Sequence, residues 1–280
     1  MNQSRKWLIT GVSSGFGRAL AELALARGDT VMGTLRRPEQ AADFEALAPG
    51  RAHTCIIDMT DRDNLAPVIR EALARIGGAD VVVNNAGYGM AGAAEELSDD
   101  EIRHHMETNF FSLVTVTQEA LPHVRAQRFG RFINIASLAG FMGISGMSLY
   151  NASKFAVTGF SEGLAGEVAP LGIGVTIVEP GQFRTNWSSP SAIVKARREI
   201  PDYAASVGPI RHGITAVDGS QPGDPLKAAE AMIKAADAPK PPLHLALGPD
   251  AVGARCHKLA ELAGELDAWE AVSLATTLDA

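Results

Sequence analysis

The opening of the chain limits its fold more than any other stretch. Lys6 to Thr10 reads as one short buried strand, and Gly11-Val12-Ser13-Ser14-Gly15-Phe16-Gly17 follows at once. Arg18 to Arg27 is then rich in Ala and Leu and closes at Gly28, the pattern of a helix with a C-terminal stop. Strand, glycine turn and helix in this order are the context of a dinucleotide phosphate site. Glycines let the backbone approach a pyrophosphate, and a helix N-terminus favours an anion. The spacing is G-x-x-x-G-x-G rather than G-x-G-x-x-G, and a plain glycine turn is the alternative at this point.

The same alternation continues downstream. Thr30 to Leu35 reads as a second strand and ends in Arg36-Arg37. An acid near this place would hold a ribose 2′-hydroxyl of NAD, whereas an arginine accommodates the 2′-phosphate of NADP. Arg36 is the better placed of the two, unless both are solvated loop charges. Ala41 to Leu47 is a short helix, Ala52 to Ile57 a third strand with Asp58 at its C-terminal end, and Asp61 to Ile76 the next helix, with Pro67 in its first turns. Val81-Val82-Val83 is continuously apolar, hence a strand covered on both faces. It runs into Asn84-Asn85-Ala86-Gly87, small residues that suit a backbone passing close to a ligand or an ordinary turn.

Ser98-Asp99-Asp100-Glu101 is a capping box, and the helical pattern behind it reaches about Gln127. Pro122 should kink or shorten that helix. Asn109 lies inside it, where an asparagine is mildly unfavourable and calls for a reason. Arg131 to Ile135 is a fifth strand, followed by Ser137 and a loop rich in Gly and Met, Leu138 to Met147. The next helix, Ser148 to Glu167, carries Tyr150 and Lys154 four apart, one turn of ~6 Å and one face. A phenol with a reference pKa near ~10 is a poor acid, and a cation one turn away should lower that value. Such a pair can protonate a carbonyl oxygen or deprotonate an alcohol. Ser137, just past a strand end, is placed to bond the same oxygen or to satisfy its own loop.

Val175 to Val178 is a sixth strand, ending in Glu179-Pro180-Gly181. From Gln182 to about Asp224 no period is clean, and a segment that long in a compact domain is usually functional, often a lid. Leu226 to Ala236 is a helix, Leu243 to Leu247 a possible seventh strand and Ala251 to Ala268 an amphipathic helix. Six or seven apolar strands alternating with helices, with no linker between them, imply a single Rossmann-type domain over 1–280. Its core is a doubly wound parallel α/β sheet with helices on both faces.

Composition excludes several classes. A formal charge of −7 and no basic stripe argue against a nucleic-acid binder. Cys55 and Cys256 form no C-x-x-C pair and read as buried or free thiols in a reducing compartment. No long apolar stretch opens the chain as a secretory signal would, and no run of eighteen apolar residues is present to span a membrane. A cytoplasmic protein without a membrane partner is expected.

Taken together, Thr10-Gly11-x-x-x-Gly15-x-Gly17, Asn84-Asn85-Ala86-Gly87, Asn109, Ser137, Tyr150-x-x-x-Lys154 and Pro180-Gly181 resemble the short-chain dehydrogenase/reductase family in its compact single-domain branch. The resemblance covers roughly Lys6 to Thr185. It implies a hydride-transferring enzyme that interconverts an alcohol and a ketone or aldehyde. In its terms Tyr150 is the general acid of reduction and the base of oxidation, and Lys154 binds the nicotinamide ribose and lowers the Tyr150 pKa. Ser137 orients the substrate oxygen, and Asn109 holds a water in a proton relay to Lys154. Gly11, Ser13, Ser14, Gly15, Phe16 and Gly17 would form the cofactor turn. Arg36 would meet the 2′-phosphate, Asp58 and Met59 the adenine, and Asn84 and Gly87 the adenosine side. Pro180, Gly181, Phe183 and Thr185 would lie against the nicotinamide end, with no metal involved. The Val12-Ser13-Ser14 filling and the Arg36-Arg37 strand end resemble NADP-preferring members, with NAD as the alternative. The family resemblance also implies a homodimer or homotetramer packed through the helices holding Asn109 and Tyr150.

The substrate is less constrained. Leu138, Phe141, Met142, Ile144, Met147 and the lid residues Trp187 and Tyr203 suggest an apolar pocket for a bulky carbonyl or alcohol, unless they pack the lid on the sheet. Three other readings stay open: an NAD-dependent alcohol dehydrogenase, a cofactor-binding regulator without turnover, and a sugar epimerase or dehydratase on the same scaffold.

Overall fold

The computed structural model describes residues 4–189 and 192–278. The first part of the chain lays down β1 (Lys6–Ile9), α1 (Gly15–Ala26), β2 (Thr30–Leu35), α2 (Ala41–Glu45), β3 (Ala52–Ile56), α3 (Leu65–Ile76) and β4 (Val81–Asn84). Next come β5 (Gly89–Ala91), α4 (Asp99–Met106), α5 (Ser112–Gln127), β6 (Gly130–Ile135), α6 (Ser148–Val168) and β7 (Ile173–Pro180). The remainder forms β8 (Ile193–Lys195), α7 (Ala204–Gly213), α8 (Pro225–Asp237), β9 (His244–Leu247) and α9 (Pro249–Leu274). Seven strands make one sheet in the order β3-β2-β1-β4-β6-β7-β9, and every pair in it is parallel. A Rossmann-type α/β sheet is therefore present, at the upper end of the expected strand number.

The strand sequences explain why both faces are covered. Successive side chains alternate between faces. Trp7, Ile9, Val31, Val81, Val83 and Ile133 pack with Leu20 and Ala24 of α1 and Met232 of α8. Leu8, Met32, Val82 and Phe132 point the other way, onto Ile69 of α3, Val116 of α5 and Leu164 of α6. A strand buried on both sides can be apolar throughout, which is why Val81-Val82-Val83 shows no alternation.

The chain winds outward from β1 to β3, then returns to β4 beside β1 and winds the other way. That reversal leaves a crevice at the carboxyl ends of β1 and β4. The turn after β1, Arg36 after β2, Asp58 after β3, Gly87 after β4, Ser137 after β6 and Gly181 after β7 all leave the same edge of the sheet.

Several elements differ from the sequence reading. α3 starts at Leu65 instead of Asp61, because the Asp61 carboxylate takes the Asn64 amide at 2.9 Å in a turn ahead of the helix. Pro122 lies inside α5 without shortening it; the helix ends at Gln127, where Arg128 turns left-handed. The expected lid, about 182–225, crosses residues 190 and 191, which lie outside the described residues. Within it, β8 pairs with β5 in a second, two-stranded sheet and α7 is helical. α9 runs past the expected Ala268 to Leu274.

Candidate active site

The glycine turn is shaped by contacts only glycine permits. Gly11 and Gly15 have φ of 73° and 60°, values that L side chains rarely adopt. A Cβ on Gly17 would stand 2.3 Å from the Gly11 carbonyl oxygen. The turn is drawn against Asn85, whose Nδ2 donates to the Thr10 and Gly11 carbonyls at 2.8 and 3.0 Å. Thr10 Oγ1 in return accepts from the backbone N–H groups of Asn85 and Ala86. Ser13 and Ser14 are exposed. Ser14 is the N-cap of α1, yet its side chain makes no cap bond and no acid stands in the first turn. Hydroxyl and N–H donors at a positive helix end, with no carboxylate among them, suit a pyrophosphate. The crevice narrows where Gly15 meets Thr185 and where Phe16 sets its ring edge-on to Phe183 at 5.1 Å.

At the other rim Arg36 is exposed and its charge acts on Asp58. Burial raises the Asp58 carboxyl, but the N–H and hydroxyl of Thr60, at 2.9 and 2.8 Å, together with Arg36 and His104, outweigh it and hold it below the usual carboxylate range. Met59 is buried behind it, in the core beside Leu65. Pro180 and Gly181 close β7, with Gly181 N–H on the Leu247 carbonyl at 2.9 Å.

Asn84 is placed differently from the expectation. Its side chain turns into the protein, donating to Thr117 Oγ1 at 3.1 Å and to Asn134 Oδ1 at 2.8 Å, and Asn134 in turn donates to Ser161. Only the Asn84 backbone is left for a ligand, and Asn85 is the residue that anchors the turn.

α6 brings Tyr150 and Lys154 to the carboxyl end of β6, both 5% exposed. Lys154 Nζ donates to the Ile135 carbonyl at 2.8 Å and lies 5.8 Å from the Tyr150 ring centroid. Ser137 Oγ accepts from Ala139 N–H at 3.1 Å, and Ser137 also stands near enough to Tyr150 to pull its pKa down. The expected lowering of the Tyr150 pKa is not found. Burial pushes the phenol up to about 12 against the pull of Ser137, and burial likewise brings Lys154 down to about 8. The reason is geometric. The ammonium is bonded to a backbone carbonyl and stands nearly 6 Å from the ring centre, so desolvation wins.

Asn109 has its reason for sitting mid-helix. The turn Glu107–Phe111 between α4 and α5 is a π-helical widening, a feature often found at functional sites. Asn109 Oδ1 accepts from Tyr88 N–H at 3.0 Å, and Nδ2 donates to the Tyr88 carbonyl at 2.9 Å. Nδ2 also lies 3.1 Å from His105 Nε2 and 3.3 Å from Ser153 Oγ. Ser153 donates to the Tyr150 carbonyl at 2.8 Å, which ties the widened turn to α6. His105 is fully buried; burial first, then the charges of Lys154 and His104, bring it down to about 3, so it is neutral. A Cβ on Gly87 would come within 3.2 Å of Asn109 Oδ1 and 3.7 Å of Lys154 Nζ, so the bare glycine keeps the space between them open.

Tyr88, His105 and Ser153 were not singled out by the sequence, while Asn85 stood there only within the Asn84–Gly87 motif and Trp187 only as an apolar lid residue. His105 is four residues before Asn109 on one helix face, and Ser153 adjoins Lys154, so helical spacing was a usable signal for both. Tyr88 carries no local signal. Trp187 reaches the Tyr150 ring, centroids 5.4 Å apart, from a loop far along the chain.

Comparison with known proteins places this geometry. The short chain dehydrogenase family model matches residues 5–193. The crystal structure of a short-chain dehydrogenase from Streptomyces avermitilis is 46% identical and superposes with a TM-score of 0.92, covering 99% of this chain and 100% of that one. The oxidoreductase BOA17 of Botryotinia fuckeliana is 36% identical over 271 residues, 96% of this chain and 98% of the relative. The 3-ketodihydrosphingosine reductase of Bacteroides thetaiotaomicron is 35% identical over 244 residues, 86% of this chain and 87% of the relative. The chain belongs to the short-chain dehydrogenase/reductase family and is an oxidoreductase acting on CH–OH and C=O groups. Two solved neighbours of the same fold, 24% and 22% identical, are described in complex with NADP and with NAD respectively. Among the described residues no helix is long and apolar enough to cross a membrane.

Proposed function

We propose that this enzyme is an NADPH-dependent reductase of ketones or aldehydes carried on a bulky apolar body, with Tyr150 as the proton donor. The observation that carries the reading is a phenol 5% exposed, protonated at neutral pH, beside Ser137 and walled by apolar side chains. Ile144, Met147, Trp187, Ile210 and Ile214 gather around it. The expected set of loop residues divides here. Leu138, Phe141 and Met142 line a small cavity against Glu179, Ala254 and Arg255, away from Tyr150. The lid that supplies Ile210 is held by buried Arg211, which donates to Glu96 at 2.8 Å and to the Ala196 carbonyl at 2.6 Å. A relative whose name specifies a ketone on a long-chain base, the 3-ketodihydrosphingosine reductase, agrees with an apolar substrate.

Bound nicotinamide supplies the hydride. Ser13, Ser14 and the N-terminus of α1 hold the pyrophosphate, Arg36 the 2′-phosphate, and Pro180, Gly181 and Thr185 border the nicotinamide end. Ser137 orients the carbonyl oxygen and Tyr150 gives it the phenolic proton. Lys154 holds ribose hydroxyls and supports the tyrosinate that results. The gap bounded by Gly87, Asn109 and Lys154 has the polar partners one relay water needs. The enzyme works as one cytoplasmic domain with a lid. Phe111 and Phe155, each 46% exposed beside the site helices, are its apolar contacts to further copies.

Fluorescence titration with NADPH and NADH, followed by a carbonyl screen, tests the reading. NADPH binding at least ~10-fold tighter is expected from a charge-assisted Arg36 contact. The reverse preference removes Arg36 from the site, and binding of neither overturns the proposal.

A further inference from the structure

α9 leaves the body of the molecule after its first turns. Ala251 is buried, and Arg255 lies over the Phe141 ring at 4.6 Å and pairs with buried Glu179. From Leu259 onward every described residue is exposed. The sequence there is not that of a solvated helix. Leu259, Leu262, Leu266 and Trp269 follow one another at three- and four-residue steps and are 52%, 44%, 64% and 64% exposed. Val252, one heptad earlier, continues the stripe, and Val272 flanks it. This is the spacing of a coiled-coil seam. At roughly 100 Å² for each of these side chains the stripe presents several hundred Å² per copy, beyond what solvated monomers usually leave bare. Two such faces together approach the ~1,000 Å² of a specific interface.

The charges say which occupant fits. Behind Asp250 at the start of α9, Arg255, His257 and Lys258 stand together just before Leu259, and Glu261, Glu265, Asp267 and Glu270 follow it. We propose that α9 pairs antiparallel with α9 of a second copy of this chain, forming a two-fold interface separate from the active site. Antiparallel pairing lays the basic stretch before Leu259 on the acidic stretch after it, twice by symmetry, whereas parallel pairing lays like on like. With Leu259 opposite Leu262 of the second copy, Lys258 flanks the seam beside Glu265 of that copy. A shift that brings Leu266 against Leu262 would set Glu265 beside its own equivalent. Lys258 holds Glu261 within its own helix at 2.9 Å, an exposed pair weak enough to be exchanged. The acidic outer half disfavours an anionic lipid surface, which recruits helices rich in Lys and Arg.

Sedimentation velocity of the purified full chain tests the pairing, with far-UV circular dichroism and NADPH titration as controls for the fold. The variant Leu262→Glu with Leu266→Glu is expected to halve the mass of the assembly and leave NADPH binding unchanged. Lys258→Glu alone should weaken the association roughly 10-fold, and adding Glu265→Lys should restore it. An unchanged mass in the leucine variant overturns the proposal, as does a double charge swap no better than the single one. Binding of the wild-type chain to vesicles of phosphatidylcholine and phosphatidylserine through α9 overturns it as well.

Discussion

α6 and α9 are both long helices, Ser148–Val168 and Pro249–Leu274, and they distribute polarity in opposite ways. α6 buries Tyr150, Asn151, Ser153, Lys154, Thr158 and Ser161 among its apolar residues, while of α9 only Ala251 is buried. Buried polar groups are costly unless they are bonded. Lys154 has the Ile135 carbonyl, Ser153 the Tyr150 carbonyl, Thr158 the Lys154 carbonyl and Ser161 both Val157 and Asn134. A polar residue inside therefore marks a place where the fold has supplied a partner, and here those places converge on one site. A contiguous apolar stripe outside, as on α9, is the kind of surface that calls for a partner. The same contrast separates the chain before Pro180, which carries Tyr150 and Lys154, from the chain after it, which carries the β8–α7 segment and the projecting helix.

If the contrast is right, substitutions in α6 and its neighbours change chemistry and stability, and those in the outer part of α9 change assembly alone. The largest effect belongs to Tyr150→Phe. Removing the general acid should lower kcat for carbonyl reduction by roughly 10²–10⁴-fold, with NADPH affinity preserved in the same titration. A variant with full turnover would break the comparison, because α6 would then bury its polar set for structure only. Arg36→Ala comes next. It should weaken NADPH binding by about ten- to a hundredfold and leave NADH binding unchanged, read as a ratio of dissociation constants.

His105 sharpens the comparison through pH. Its folded-state pKa of about 3 lies below the ordinary 6.5, so its contribution to stability is complete above pH 6.5. As pH falls the unfolded chain takes up a proton that the folded chain refuses, and the contribution is lost progressively towards pH 3. Between pH 7 and 5 this amounts to about 2 kcal/mol. Urea unfolding of His105→Gln should show a correspondingly smaller acid loss than the wild type, and an identical slope would remove the buried neutral histidine from the account. The smallest effect is expected at Trp187→Ala. Loss of the wall over Tyr150 should raise KM for apolar ketones several-fold, by about 1–2 kcal/mol of lost contact, with less effect on small ones.

Much of the first part of the molecule was legible before the structure. Strands at Thr30–Leu35 and Val81–Val83, the glycine turn and the stretch around Tyr150 depend on local signals: continuous apolar runs, φ values that favour glycine, and one-turn spacing. The structure of the segment from Gln182 to Asp224 was not legible in the same way. β8 is three residues long and exists because β5 pairs with it, and α7 lacks a clean apolar stripe. The pKa of Tyr150 moved opposite to the neighbour-charge argument, because spacing on a helix says nothing about how much water the fold removes.

The sequence by itself determined which residues stand at the carboxyl ends of the strands. Strand, turn and helix are short-range events, and the parallel winding that follows from them leaves one edge for all six loops. It also determined that Tyr150 and Lys154 share a helix face and that Asn109 needed an explanation. Tertiary structure alone decided that Asn84 turns inward while Asn85 anchors the turn, that Ser137 serves both its loop and Tyr150, and that His105 is neutral. It alone set Trp187 against the Tyr150 ring and left the stripe of α9 bare. Each of these depends on which distant segment supplies a bonding partner or excludes water, and those are properties of packing that no local pattern encodes.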